Sequence, residues 1–134
     1  MKRILCLLAI LLALALASCG GGGPSTTINV TMTDFQFTPN QFSVPAGKAI
    51  TVNSMNNGAV IHNFVVMKLG TSAGPMFEDD DLPNVFWQVE IPPGGSVTKT
   101  FTSPSEPGEY EVVCRTEGHI AAGMVAKLIV VAGQ

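Results

Sequence analysis

Apolar residues recur at every second position over most of the chain from residue 27 onward. In the stretch TINVTMT, Ile28, Val30 and Met32 alternate with polar residues, and KAITVN repeats the same pattern. Alternation of this kind predicts half-buried β-strands, because successive side chains of a strand point to opposite faces of the sheet. No window shows the spacing of an amphipathic helix. The sequence therefore predicts a domain built almost entirely from strands.

Other windows complete the set of strands. IHNFVVMKL is a nearly continuous apolar run, which is typical of a central strand buried on both faces. In TDFQF, we expect Phe35 and Phe37 to continue the apolar side of the first strand, and we interpret SAGPMFEDDDLP as a loop with one helical turn. About seven or eight short strands, with turn signals at intervals of roughly 8–12 residues, predict an all-β Greek-key β-sandwich. The remaining windows are QFSVP, NVFWQVEI, SVTKTFT, EYEVVC and MVAKLIVV.

The first residues are predicted to direct export rather than to join the fold. A basic start is followed by an apolar run over residues 4–17, long enough for a signal peptide and too short to span a bilayer. The run ends in LASC, which resembles a bacterial lipoprotein box. We therefore expect a signal over residues 1–18, lipid attached to Cys19, a flexible Gly-rich tether over 19–26 and the domain over 27–134. An ordinary signal peptide with a chance cysteine is the alternative.

Charge and cysteine content limit the classes of partner and of crosslink that the domain can have. Without Lys2 and Arg3 of the signal, five basic residues oppose the 10 acidic ones, a formal charge of −5. Such a surface disfavours nucleic acid and permits a basic protein partner. With Cys6 in the signal and Cys19 carrying lipid, Cys114 is the one cysteine left in the exported domain, so an internal disulfide is excluded.

Four soft or borderline ligands suggest a metal site. In CRTEGHIAAGM, residues Cys114, His119 and Met124 follow at equal steps in a loop between two strands, and His62 precedes the buried strand. Thiolate and thioether favour copper, and two histidines, one cysteine and a weak axial methionine form the blue-copper arrangement. Zinc is the main competitor, although it has little use for a thioether. Iron–sulfur clusters need several cysteines.

The motifs CRTEGHIAAGM and IHNFVV together resemble the cupredoxins, the small type 1 copper proteins that transfer single electrons. The resemblance covers essentially the whole predicted domain, and its ligand spacing is more similar to auracyanin and rusticyanin than to azurin or plastocyanin. It implies His62, Cys114, His119 and Met124 as copper ligands. It also implies that Asn63 makes hydrogen bonds near the cysteine loop and joins the two ligand loops.

Two positions depart from relatives. Glu117 stands where many relatives have proline, which places a charge near His119. Ile61 stands where azurin has a glycine whose carbonyl approaches the copper, so the resemblance does not extend to that fifth contact.

The function implied is that of a monomeric single-electron carrier with one type 1 copper per domain. Its partners would be redox proteins such as a c-type cytochrome or a membrane oxidoreductase, met at the membrane to which the lipid anchors the carrier, on the periplasmic or outer side. We expect the edge of the His119 ring at the surface, within an apolar collar formed by residues 120–123. The acidic run EDDD over 78–81 is either a solvated loop or a docking face for a basic partner.

Two functions of other classes stay open at this point. A copper-binding or delivery protein of the cell envelope would bind the same metal, although such proteins tend to use His-rich or Met-rich runs, and this sequence has neither. An enzyme would use Cys114 as a nucleophile with a histidine as base. No family-specific cysteine-protease signature surrounds Cys114, so we expect no enzymatic activity.

Overall fold

The structure, a computed structural model, describes residues 22–133 of the chain. The predicted signal peptide and Cys19, the predicted site of lipid attachment, lie outside the described residues. Within residues 22–133 no helix is both long and apolar enough to cross a membrane.

Nine strands and one short 3-10 helix make up the described part of the chain, which confirms the predicted β-sandwich. The 3-10 helix, Asp79–Asn84, is the predicted helical turn and begins within the acidic run. The strands are β1 (Thr27–Thr33), β2 (Gln36–Thr38), β3 (Gln41–Pro45), β4 (Ala49–Asn56), β5 (His62–Met67), β6 (Val85–Ile91), β7 (Ser96–Thr102), β8 (Gly108–Val113) and β9 (Val125–Val131).

The strands form two mixed sheets that pack face to face. One sheet has the order β2-β1-β4-β7 and the other the order β3-β9-β8-β5-β6. β1 runs parallel to β4 and β3 runs parallel to β9, whereas the other neighbours are antiparallel. The main core lies between the sheets and is filled by the inward-facing members of each alternating strand. Aromatic rings meet edge to face at its centre, where Phe64 contacts both Phe37 and Phe42.

Strand β5 is buried over all six of its residues, as its continuous apolar run predicts. One of its faces points into the main core, and the other contributes Val65 and Met67 to a second, smaller apolar cluster. The connection between β5 and β6 supplies Ala73 and Phe77 to this cluster and so covers the outer face of the sheet. Each fully buried aliphatic or aromatic side chain contributes about 1.5–3 kcal/mol, so β5 is held firmly from both sides.

The structure differs from the sequence prediction mainly in the window of the first strand. The stretch predicted as one continuous pattern breaks at a turn, and Phe35 lies in that turn with positive φ (70°) and a half-exposed ring. Phe37 is buried, as predicted. In the sequence the apolar positions shift by one residue after Met32, from even to odd numbers. In the structure a turn at this point leads into the antiparallel strand β2, where Phe37 returns to the inner face.

Candidate metal centre

The antiparallel pairing of β5 with β8 brings the two predicted ligand regions together. Val65 of β5 lies opposite Val113, the last residue of β8. Because the strands run in opposite directions, the start of β5 and the end of β8 lie at the same end of the sandwich. His62 opens β5, and Cys114 directly follows β8. The sheet register therefore places a residue from mid-chain beside the loop of the final hairpin.

Three of the four predicted donors converge. The Sγ atom of Cys114 lies 3.7 Å from Nδ1 of His62 and 3.5 Å from Nδ1 of His119. The ligand atoms of these three residues all lie within 4.8 Å of one another, and all three residues are buried. Both histidines thus turn the same kind of nitrogen toward the thiol.

These distances fit a shared metal ion. A nitrogen about 2.0–2.1 Å and a sulfur about 2.3 Å from one ion, at angles between tetrahedral and trigonal, are separated by roughly 3.5–3.8 Å. The two observed sulfur–nitrogen separations match this range closely. Two imidazole nitrogens and one thiolate sulfur form the equatorial donor set of a blue-copper site.

Met124 closes the loop that carries the other two donors. Its backbone N–H donates to the carbonyl of His119 (2.9 Å), and its carbonyl accepts from the N–H of Cys114 (3.3 Å). Its side chain is fully buried in the same packed cluster as Cys114. The strands stop one residue short of both, since β8 ends at Val113 and β9 begins at Val125. The predicted alignment of Cys114 with Met124 is therefore present at the mouth of the hairpin.

The loop between them is a series of tight turns. The N–H groups of His119, Ala122 and Gly123 donate to carbonyls three or four residues earlier, at 2.8–3.0 Å. Gly118 and Gly123 have φ values of 78° and 97°, a region that side chains with a β-carbon rarely adopt. With the backbone so fixed, the His119 ring is turned inward toward the thiol.

Hydrogen bonds join the two ligand regions. The backbone N–H of Asn63 lies 3.4 Å from Sγ of Cys114, and its side-chain amide donates to the Thr116 hydroxyl, also at 3.4 Å. That hydroxyl in turn donates to the carbonyl of Ile61 at 2.7 Å. Asn63 thus contacts both Cys114 and Thr116 of the other ligand region. The Ile61 carbonyl is therefore engaged by a hydrogen bond within the protein.

Sequence reasoning missed a second set of residues beside His62. In the turn between β1 and β2, Oδ1 of Asp34 lies 3.4 Å from Nε2 of His62, and the Phe35 ring meets His119 edge-on at 5.2 Å between ring centres. Gly58 lies against Asp34 and His62, and buried Asn56 binds the surrounding loop. The signal available was the break in alternation at Asp34-Phe35, which a strict two-residue period does not explain.

Burial controls the protonation of both histidines. Desolvation lowers the pKa of His62, helped by the nearby His119, while the charge of Asp34 acts in the opposite direction. Desolvation likewise lowers the pKa of His119 against the same opposing charge. Neutral imidazoles with free Nδ1 lone pairs are the form that binds a metal.

The surface above the site is apolar but differs from the predicted collar. His119 is 5% exposed and Ile120 only 9%, because Ile120 packs into the second apolar cluster beneath the loop. Ala121, Ala122 and Gly123 are exposed, as predicted. Two apolar residues that were not predicted for this surface, Val60 and Ile61, are exposed on the chain segment that leads into His62.

The fold and the donor set define a class of protein. The family model of the cupredoxin-like domain matches residues 5–130. The chain therefore belongs to the cupredoxin-like family, and His62, Cys114, His119 and Met124 are arranged as in a type 1 copper site. The prediction of copper as the cofactor is confirmed at this level.

Individual proteins show which members of the family this chain resembles. The chain is 31% identical to auracyanin-A of Chloroflexus aurantiacus over 92% of this chain and 94% of that protein. It is 29% identical to the copper-resistant cuproprotein CopI of Rubrivivax gelatinosus, over 78% of this chain and 66% of that protein. Among solved structures, reduced auracyanin from Roseiflexus castenholzii superposes with a TM-score of 0.70 at 32% identity, covering 81% of this chain and 99% of that one.

Proposed function

We propose that this protein is a single-electron carrier in which His62, Cys114, His119 and Met124 hold one type 1 copper ion. The observation that carries the proposal is the convergence of two Nδ1 atoms on one buried thiol, at separations that suit a shared ion. When bound, copper supplies a one-electron couple between its cuprous and cupric states.

The surroundings of these donors favour electron transfer over chemistry on a substrate. His62 belongs to a strand buried on both faces, and the Asn63 and Thr116 hydrogen bonds hold the loop of the other donors against it. Donors held in this way keep their positions when the charge of the site changes. A carrier needs this property, because rearrangement between oxidation states slows transfer.

The partner surface is small and apolar. The nearly buried His119 ring lies beneath exposed Phe35 and next to exposed Ala121 and Ala122, so a docked partner comes close to a ligand edge. Redox encounters typically use less than about 1,200 Å² of interface and separate quickly. We propose a redox protein such as a c-type cytochrome or a membrane oxidoreductase as partner, and a monomeric carrier.

Attachment to the membrane is part of the same proposal. Lipid on Cys19, after removal of residues 1–18, would keep the domain at the membrane on the periplasmic or outer side, with residues 19–26 as a flexible tether. Tethering raises the concentration of the carrier near membrane redox complexes. Replacing Cys19 with alanine should move the protein from the membrane fraction to the soluble fraction. Unchanged partition of this variant would contradict the lipid anchor and leave the copper site untouched.

Copper delivery is the second candidate, favoured by the name of the relative CopI, a copper-resistant cuproprotein. A delivery protein gives up its metal to an acceptor, whereas an electron carrier retains it through repeated cycles. Chemical reduction and re-oxidation of the copper-loaded protein, followed by metal analysis of the filtrate, separates the two. Stoichiometric release of copper on reduction would favour delivery.

A visible spectrum is the decisive test of the carrier. The copper-loaded protein should show an intense blue absorption that a mild reductant bleaches and an oxidant restores. Cys114→Ser should abolish this absorption, because the thiolate is the donor responsible for it, while Met67→Leu, a change at a buried methionine of β5, should retain it. A colourless protein that retains zinc in preference to copper would overturn the proposal.

A further inference from the structure

The second ring nitrogen of His62 faces a carboxylate. The His62 side chain is fully buried, and its Nδ1 is directed at the thiol of Cys114. Its Nε2 lies 3.4 Å from Oδ1 of Asp34, and no group in the described part of the chain makes a well-aligned hydrogen bond to it. The ligand thus has one nitrogen at the metal position and the other beside a negative charge.

Asp34 is held at this position by the loop that precedes β5. Its Oδ1 also accepts from the backbone N–H of Ala59 at 3.3 Å. A β-carbon added at Gly58 would lie 2.5 Å from both Oδ1 of Asp34 and Nε2 of His62. The carboxylate can therefore approach the imidazole only because position 58 has no side chain.

This contact has two chemical effects. A histidine that binds a metal through Nδ1 must carry its proton on Nε2, and a carboxylate beside that nitrogen favours this tautomer. A negative charge close to a ligand also stabilises the more positive of two metal oxidation states. Asp34 is half-exposed, so solvent screens its charge but does not remove it.

Resting on the copper site proposed above, we propose that Asp34 is a positioning residue that fixes the tautomer of His62 and lowers the reduction potential of the bound copper. Gly58 provides the space that this contact requires.

Asp34→Asn tests the electrostatic part of the proposal. Asparagine retains the volume and an oxygen for the Ala59 N–H, but it removes the negative charge. At a fixed ambient potential, the ratio of reduced to oxidised copper should rise roughly tenfold, which is about 59 mV for one electron. Asp80→Asn, the same change on the exposed acidic turn, should alter the ratio less than about twofold at ordinary ionic strength.

The tautomer is tested without copper. In the metal-free protein, nitrogen NMR should show the His62 proton on Nε2, and Asp34→Asn should shift the ring toward a mixture of the two tautomers. A residue that merely stabilised the turn would leave this distribution unchanged.

The outcomes separate the two proposals. A blue Asp34→Asn protein with unaltered potential and tautomer would overturn the role of Asp34 and leave the copper carrier intact. If that variant does not fold, a His62 proton found on Nδ1 in the metal-free native protein overturns it equally. A native protein that never turns blue refutes the proposed function itself.

Discussion

The two regions that meet at the metal centre hold their donors in different ways. The segment over residues 56–63 contributes one donor, His62, at the start of a strand and surrounded by polar groups that are themselves fixed. The loop over 114–124 contributes three donors on tight turns that lie close to solvent. One region provides rigidity and electrostatic control, and the other provides most of the ligands and the path to the surface.

The difference shows that ligand identity and ligand environment are encoded separately. The loop places its donors by local spacing, with glycines at two positive-φ positions. The mid-chain region depends on contacts between residues far apart in sequence, such as Asp34 with His62. Substitutions in the two regions test this division.

Replacing each histidine by glycine should give unequal results. Both variants should lose the blue absorption, because each removes an equatorial donor. Added imidazole should restore it in His119→Gly, where the vacated space borders the exposed residues 121–123, and should fail in the fully buried His62→Gly. Titration with imidazole followed by visible spectroscopy measures the difference. Equal rescue of both would show that the two regions are equally accessible.

Asn56 should be the main polar support of the mid-chain region. Its buried amide donates to the carbonyls of Val60 and Ile91 at 2.8 and 3.0 Å, and its oxygen accepts from the N–H of Gly58 at 2.8 Å. Asn56→Ala leaves these buried groups without partners and should lower the free energy of unfolding by about 3 kcal/mol.

The control for Asn56 lies three residues earlier on β4. Asn53 hydrogen-bonds to Asn29 and Thr98 on the exposed face of the sheet, where water can replace these partners. Asn53→Ala should therefore cost less than about 1 kcal/mol. Urea denaturation of the metal-free proteins compares the two, and similar losses would show that Asn56 has no special role.

Two isoleucines beside the ligands should have opposite roles. Ile120 is 9% exposed and packs into the second cluster, so Ile120→Ala should destabilise the protein by about 2–3 kcal/mol. Ile61 is 44% exposed, and Ile61→Ala should change stability by less than about 0.5 kcal/mol. The Ile61 variant should instead slow electron exchange with a redox partner. Thermal unfolding and stopped-flow kinetics measure the two effects, and the reverse pattern would contradict the assignment of these surfaces.

Acid should weaken the metal-free protein. Since burial lowers the pKa of both His62 and His119, the unfolded chain binds more protons than the folded one near pH 6. Stability from this source is complete above the ordinary histidine value of about 6.5 and declines as the pH falls below it. Urea midpoints between pH 7.5 and 5.5 should decrease, and His119→Gln should reduce the slope. A flat profile in the native protein would contradict the lowered values.

Most of the fold follows from the hydrophobic pattern, because the period of two survives in nearly every strand. The uniformly apolar run at β5 correctly indicates burial on both faces. The pattern fails at Asp34-Phe35, where a turn interrupts the alternation, and in the number of strands, which rises to nine in the described residues. Sheet order and the parallel pairs involve long-range pairing that no local window contains.

The candidate site, like the fold, could be predicted from the sequence only in part. Residues 114, 119 and 124 are recognisable because one short segment holds them at constant spacing, and His62 was the one histidine left to join them. Asp34, Gly58 and Asn56 could not be found in this manner, since each looks like an ordinary turn residue. Ile120 was assigned to the surface because spacing alone does not reveal the apolar cluster beneath the loop.

The absence of a side chain at position 58 has a consequence for protein engineering. Any L-amino acid introduced there would push against the carboxylate and the imidazole at once. In a library that diversified every residue around the centre, this glycine would tolerate the fewest substitutions. It does so although it donates nothing to a metal and carries no charge. In the proposed copper site, substitution at Asp34 can therefore tune the reduction potential, whereas position 58 does not accept another residue.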